Sequence, residues 1–189
     1  MNHKHIKAPL DDSTIATLRA GDSVRLSGTI YTARDAAHRR LLEALDKETP
    51  LPISLANAVI YYAGPAPAKP GHVLGPAGPT TSGRLDPYTE PLLRLGLKGL
   101  IGKGYRSPAV KTALIKYHAV YLAAVGGAAA LLSRHVLSSR LVAYEDLGTE
   151  AIRELIVSDF PLIVVNDSYG GDAYESGRAQ FSRQQRGVG

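Results

Sequence analysis

At 189 residues, 44% hydrophobic and 21% charged, the chain has the length of one domain with a substantial core and the composition of an ordinary soluble globular protein. Its 22 basic and 17 acidic residues leave a net charge of +5, but the basic residues are scattered and not interleaved with aromatics. That pattern argues against nucleic acid as a partner and suits a small anionic substrate.

The absence of cysteine excludes disulfides, a zinc–cysteine site and a thiolate-held iron–sulfur cluster within this chain. The longest apolar stretch, AVYLAAVGGAAALL, is shorter than a bilayer span, and MNHKHIKAPL lacks the hydrophobic segment of a secretory signal. A cytoplasmic protein without membrane contact is expected.

In chain order, DDSTIATLRAGD predicts a short helix capped by Asp12 or Ser13 and ended by Gly21. SVRLSGTIYTA alternates as a strand, with Val24, Leu26 and Ile30 on one side and Gly28 as a candidate bulge. RDAAHRRLLEALDK predicts a helix with Ala37, Leu41, Leu42 and Leu45 on one face, stopped by Pro50 and Pro52. NAVIYYAG reads as a strand. PAPAKPGHVLGPAGPTTSGR holds too much Pro and Gly for regular structure, and a loop of that length inside a domain points to function.

Beyond the loop, PYTEPLLRLG predicts a helix and LKGLIGKG a buried strand with a glycine turn. SPAVKTALIKY predicts a helix capped by Ser107, with Pro108 at its first position. HAVYLAAVGG reads as a strand, AAALLSRHV as a small helix, RLVAYEDLG as a strand, TEAIRELIV as a helix and FPLIVVNDSYG as a last buried strand. Alternating strands and helices predict an α/β fold with a mixed, largely parallel sheet over residues 1–175. Residues 176–189, rich in Gly, Ser, Gln and Arg, are expected to form a disordered tail.

In such sheets ligands collect beyond the carboxyl ends of the strands. Arg34, the Thr80–Arg84 stretch, Lys103 in GKGYRS and the GGAAA segment each follow a predicted strand. Converging there, Arg34, Arg84 and Lys103 would make an anion site suited to a small dicarboxylate, whose carboxylates accept bidentate arginines. Each element also has a plain reading: Arg34 as a solvated helix-start residue, GPTTSGR as a turn capped by Thr81 or Ser82. GKG lacks the spacing of a P-loop. His38 lies four residues beyond Arg34, within reach of the same rim or simply on the face of an amphipathic helix. His72, His118 and His135 show no metal-ligand spacing. Asp35, Asp86, Glu145 and Asp146 have no evident partner, the last two being expected at the start of the TEAIRELIV helix.

Taken together, SGTIYTARDAAHRRL, YYAGPAPAKPGHVLGPAGPTTSGRLDPY, GLIGKGYRS, VYLAAVGGAAALL, YEDLGTEAI and FPLIVVND occur in this order over residues 27–167. The set resembles the β subunit of class I (iron–sulfur) fumarate hydratase, equivalent to the C-terminal domain of the single-chain enzymes. The L-tartrate dehydratase β subunit is the sister family, and Gly83, Asp86 and the EDLGTEAI segment are more similar to the fumarase branch. The resemblance implies a swivelling β/β/α domain that closes over a 4Fe–4S cluster held by cysteines of a separate α subunit. It implies a hydro-lyase active only with that subunit, with no metal bound by this chain alone. By matching motif, Arg34, Arg84 and Lys103 would bind the substrate carboxylates. Thr80 would be the base that takes a proton from malate, or a group that orients substrate. An alternative of another class is a non-catalytic dicarboxylate-binding module.

Overall fold

Val24, Leu26 and Ile30 are fully buried in strand β2 (Ser23–Thr32), from which the sheet is organised. The computed structural model describes residues 3–124 and 129–185, with side chains as far as residue 180. The other strands are β1 (Lys4–Ala8), β3 (Val59–Tyr61), β4 (Gly99–Gly102), β5 (Val120–Ala123), β6 (Val136–Ala143) and β7 (Ile152–Asn166). The β1–β2, β2–β3, β3–β4 and β4–β5 pairings are parallel; β2–β7, β5–β7 and β6–β7 are antiparallel. The expected α/β architecture with a mixed, largely parallel sheet is therefore the one that forms.

One edge of β2 lies along β7, from Ser23↔Ile163 to Thr32↔Arg153, while the other edge serves β1 first and β3 afterwards. Strands β2, β3, β4, β5 and β7 thereby close into a ring of paired strands, with β1 and β6 as the outer members. The bulge expected at Gly28 is present as a register shift against β7 between Leu26 and Gly28. Gly28 has φ +109°, and a Cβ there would lie 2.3 Å from the Ala8 carbonyl oxygen, so β1 reaches β2 only over a glycine.

Successive residues of the ring serve two cores. Val59, Tyr61, Ile101, Leu122, Leu155 and Phe160 belong to one, which also takes Ile15 and Leu18. Ile60, Tyr62, Leu100, Tyr121 and Val165 belong to the other, covered by helices α2 (Asp35–Asp46), α3 (Asp86–Arg94) and α4 (Pro108–Lys116). Buried on both faces, β3, β4 and β5 read as nearly continuous apolar runs. Ser107 caps α4 and Pro108 opens it, as the sequence predicts.

Several elements differ from expectation. TEAIRELIV is no helix: from Ile152 it is the first half of the 15-residue strand β7, continuous with FPLIVVN. There β2 offers one edge and β6 the other, and pairing on both sides outweighs the helical propensity of Glu, Ala and Leu. Residues Glu145–Glu150 form a short 3-10 turn instead, and Asp146 pairs with Arg40 rather than capping a helix.

The segment KHIKA, without a strand signal because only Ile6 and Ala8 turn inward, forms β1. The first helix, α1 (Asp12–Thr17), is capped by Asp11, which accepts a 2.7 Å bond from the Thr14 amide, and ends before Gly21. Helix α6 (Ala173–Gln185) occupies residues 176–185 of the segment expected to be disordered. Helix α5 spans Ala129–Ser133, while Val125–Ala128, with the glycines of GGAAA, lie outside the described residues. Among the described residues no helix is long and apolar enough to cross a membrane.

Candidate active site

Because β2, β3, β4 and β5 run in the same direction, their carboxyl ends share one edge of the sheet. Arg34 follows β2, the Pro/Gly-rich loop follows β3, and Lys103 follows β4. The loop is irregular as expected, but its end is pinned firmly. The Thr80 amide donates to the Tyr62 carbonyl at 2.6 Å, the Lys103 amide donates to the Thr80 carbonyl at 3.3 Å, and the Ser82 amide donates to the Lys103 carbonyl at 2.8 Å. Thr80–Ser82 is thus clipped between the ends of β3 and β4, with Thr81 bridged to Lys103.

The side chain of Ser82 fixes the clip from below. Tyr121 gives its hydroxyl hydrogen to the Gly104 carbonyl at 2.9 Å, so Ser82 Oγ is the donor to the Tyr121 oxygen at 2.9 Å. Burial pushes the Tyr121 hydroxyl pKa well up, which keeps it a donor throughout the neutral range. Ser82 sits on Gly102, where a Cβ would fall 1.9 Å from Ser82 Oγ. Thr81, with its exposed side chain, contributes backbone alone to this arrangement.

The two candidate arginines meet at one carboxylate. Arg84 leaves a 3-10 turn (Ser82–Leu85), and its Nε donates to Asp35 Oδ1 at 3.0 Å. Asp35 Oδ2 lies 4.0 Å from Arg34 Nε, and Arg34 Nη2 lies 3.4 Å from Glu150 Oε1. The other Glu150 oxygen accepts the Ala36 amide at 2.9 Å, capping the first turn of α2 and complementing its positive end. Lys103 is exposed and lines a cavity of about 250 Å³ with Ala123, Ala124, Ile163, Val165 and Tyr174.

Arg34 and Arg84 are thus joined through Asp35, and Thr80 and Lys103 through their backbones. Residues with cationic side chains thus follow three separate strand ends at one sheet edge, where the Thr80 backbone is held on both sides. Such a set suits a small anion with more than one carboxylate.

In the sequence Asp35 has no evident partner, and Glu150 carries no signal of its own within a segment whose residues favour a helix. Arg106, in GKGYRS, has no sequence signal either. That guanidinium is wholly buried between the rings of Tyr62 and Tyr121, 5.5 and 5.2 Å from their centroids. It donates to Thr89 Oγ1 at 2.6 Å and to the Tyr62 hydroxyl at 3.3 Å, and its Nε lies 2.8 Å from Asp86 Oδ1, off the axis of a hydrogen bond. Asp86 Oδ2 accepts the Ser107 amide at 2.8 Å, tying the starts of α3 and α4 together. The two tyrosines that flank Arg106 are the ones that hold Thr80 and Ser82.

His38 does not reach the rim. It is completely buried, its Nδ1 donates to the Arg34 carbonyl at 2.9 Å, and its ring stands edge-on to Tyr62 at 5.3 Å. Burial pushes its pKa down to about 4. Among the described residues no group of three or more His, Asp or Glu is arranged to hold a metal ion.

The fold is a ring-closed α/β domain in which Arg34, the Thr80–Arg84 stretch and Lys103 each follow the carboxyl end of a parallel strand. The family model described as Fumarase C-terminus matches residues 2–177, and the chain belongs to this family. It is 38% identical over 174 residues to "Fumarate hydratase class I, aerobic" of Escherichia coli strain K12, covering 91% of this chain and 31% of that protein. It is 37% identical over 173 residues to "Fumarate hydratase 2" of Leishmania major, covering 89% of this chain and 30% of that protein. The chain therefore spans about a third of the length of these fumarate hydratases. Against the "Putative L(+)-tartrate dehydratase subunit beta" of Methanocaldococcus jannaschii it is 40% identical over 172 residues, and 88% of each chain is covered.

Proposed function

We propose that this chain is the β subunit of a heteromeric hydro-lyase that interconverts fumarate and (S)-malate. The observation that carries the reading is the placement of Arg34, the Thr80–Arg84 stretch and Lys103 after the carboxyl ends of neighbouring parallel strands, with Arg84 bonded to Asp35 and Thr80 to Lys103 through the backbone. A dicarboxylate needs two cationic receptors to fix its ends, and the arginines supply forks for them. In the dehydration direction Thr80 takes the proton from C3 of malate. The electron pair of that C–H bond becomes the second bond between C2 and C3, and hydroxide leaves C2.

An ordinary threonine hydroxyl is a very poor base. Its alkoxide requires neighbouring positive charge in a site closed to water, and in this reading Lys103, whose backbone is bonded to that of Thr80, and Arg84 supply it. The 4Fe–4S cluster implied for this family does not fit this chain. The sequence has no cysteine, and the described residues gather no metal-holding group, so the ligands would belong to an α subunit. The 40% identity to the relative named "Putative L(+)-tartrate dehydratase subunit beta" supports a second reading, the same division of labour with tartrate as substrate.

The test is anaerobic co-expression with a candidate α subunit and assay of the purified complex on fumarate, malate and tartrate, with the isolated chain as control. Activity confined to the complex is expected. Arg84→Ala should lower kcat/KM by at least about tenfold, the worth of a charged hydrogen-bonded contact, with little change in Tm because the side chain is 56% exposed. A sharp fall in Tm with normal activity per folded molecule would remove Arg84 from the site. Turnover of tartrate without fumarate would establish the second reading.

A further inference from the structure

The two arginines assigned to substrate are held in different ways. Arg34 lies against Gly64 and is paired with Glu150, its side chain 25% exposed, so packing fixes it. Arg84 is 56% exposed, and among the described residues Asp35 provides its one hydrogen bond and ion pair. Asp35 is 21% exposed and turns its second oxygen, buried and without a hydrogen bond, toward Arg34 Nε, which is itself buried and unbonded.

We propose that Asp35 is a positioning residue for substrate binding: its carboxylate holds Arg84 by Nε beside Arg34 and so sets the spacing and orientation of the two guanidinium groups. This rests on the reading of Arg34 and Arg84 as carboxylate receptors. The geometry favours positioning over competition with substrate. A guanidinium presents two forks, one through Nε and one through its terminal nitrogens. Asp35 bonds Nε alone, and the terminal nitrogens of Arg84 make no hydrogen bond among the described residues, which leaves that fork open.

Repulsion between Asp35 and an incoming carboxylate would act across the width of the guanidinium in a half-exposed setting, where water and salt screen it. Loss of the fork's fixed orientation is felt at contact distance. It also leaves a long side chain to be ordered anew at each binding event.

The test compares Asp35→Asn, Asp35→Glu, Arg84→Ala and the double variant Asp35→Asn/Arg84→Ala in the complex with the α subunit, using malate and fumarate. A second readout on the isolated chain is hydrogen exchange of the Arg84 Nε–H by NMR. Asp35→Asn is expected to raise KM about tenfold while kcat changes less than about threefold. Asp35→Glu should recover part of the loss, and the double variant should match Arg84→Ala alone, because Asp35 acts through Arg84. The Nε–H should be protected in the natural chain and lose protection in Asp35→Asn. Raised KM in Arg84→Ala with KM unchanged or lowered in Asp35→Asn would overturn the positioning role while leaving the substrate site intact. Normal KM in Arg84→Ala would instead sink the site reading, and this inference with it. An unprotected Nε–H in the natural chain would show that the tether does not hold in solution and would overturn the proposal whatever the kinetics.

Discussion

His38 sits between the rings of Tyr62 and Tyr88, with Nδ1 satisfied and Nε2 facing no partner. The folded chain resists protonation there until about pH 4, whereas the unfolded chain takes up the proton from about 6.5 downward. Stability is therefore complete above pH 6.5 and falls as the pH drops toward 4, by up to about 3 kcal/mol if the full difference is expressed. Chemical denaturation of the natural chain and His38→Gln between pH 7 and 4 checks this; the slope over that window should flatten in the variant. Arg106 poses the reverse case, a charge kept in the interior by Asp86, Thr89 and Tyr62. Arg106→Leu should cost about 3 kcal/mol in urea unfolding, because it strands those partners instead of removing the pair. Neither behaviour was legible from residue type. In a one-dimensional pattern a histidine on a helix and an arginine in GKGYRS look like surface residues, and three-dimensional enclosure makes them otherwise.

Strand β4 carries Lys103 to its place only because Gly102 lets the Ser82 side chain lie against it. Gly102→Ala should push Ser82 off Tyr121, destabilise the domain by about 1–3 kcal/mol and lower the activity of the complex. Thermal unfolding together with the hydration assay checks both, and a normal enzyme would show that the clip does not position Thr80. At this scale the sequence was most legible where local signals agree. Ser107 and Pro108 mark the start of α4, and the alternation of SVRLSGTIYT marks β2 and its bulge. It was least legible at TEAIRELIV, whose residues favour a helix locally. Only the free edges of β6 and of β2, the latter more than a hundred residues away in sequence, turn it into β7.

For the molecule as a whole, closure of the ring through β2 and β7 makes these strands the part that opens last. Hydrogen exchange should be slowest at Ile30 and Leu155, which are paired with each other, and faster by at least about tenfold across Lys4–Ala8, which β2 holds from one side alone. Equal rates would mean that the ring and its outer strand open as one unit. The sequence by itself determined the α/β class, the strand ends that carry Arg34, Arg84, Lys103 and Thr80, and the family motifs. Those follow from local periodicity, capping residues and the placement of Gly and Pro. The tertiary structure alone decided the antiparallel closure by β7, the burial of His38 and Arg106, and the joining of two arginines through Asp35 with Glu150 beside them. These depend on which distant edges and charges meet in space, and a pattern confined to neighbouring residues does not encode that.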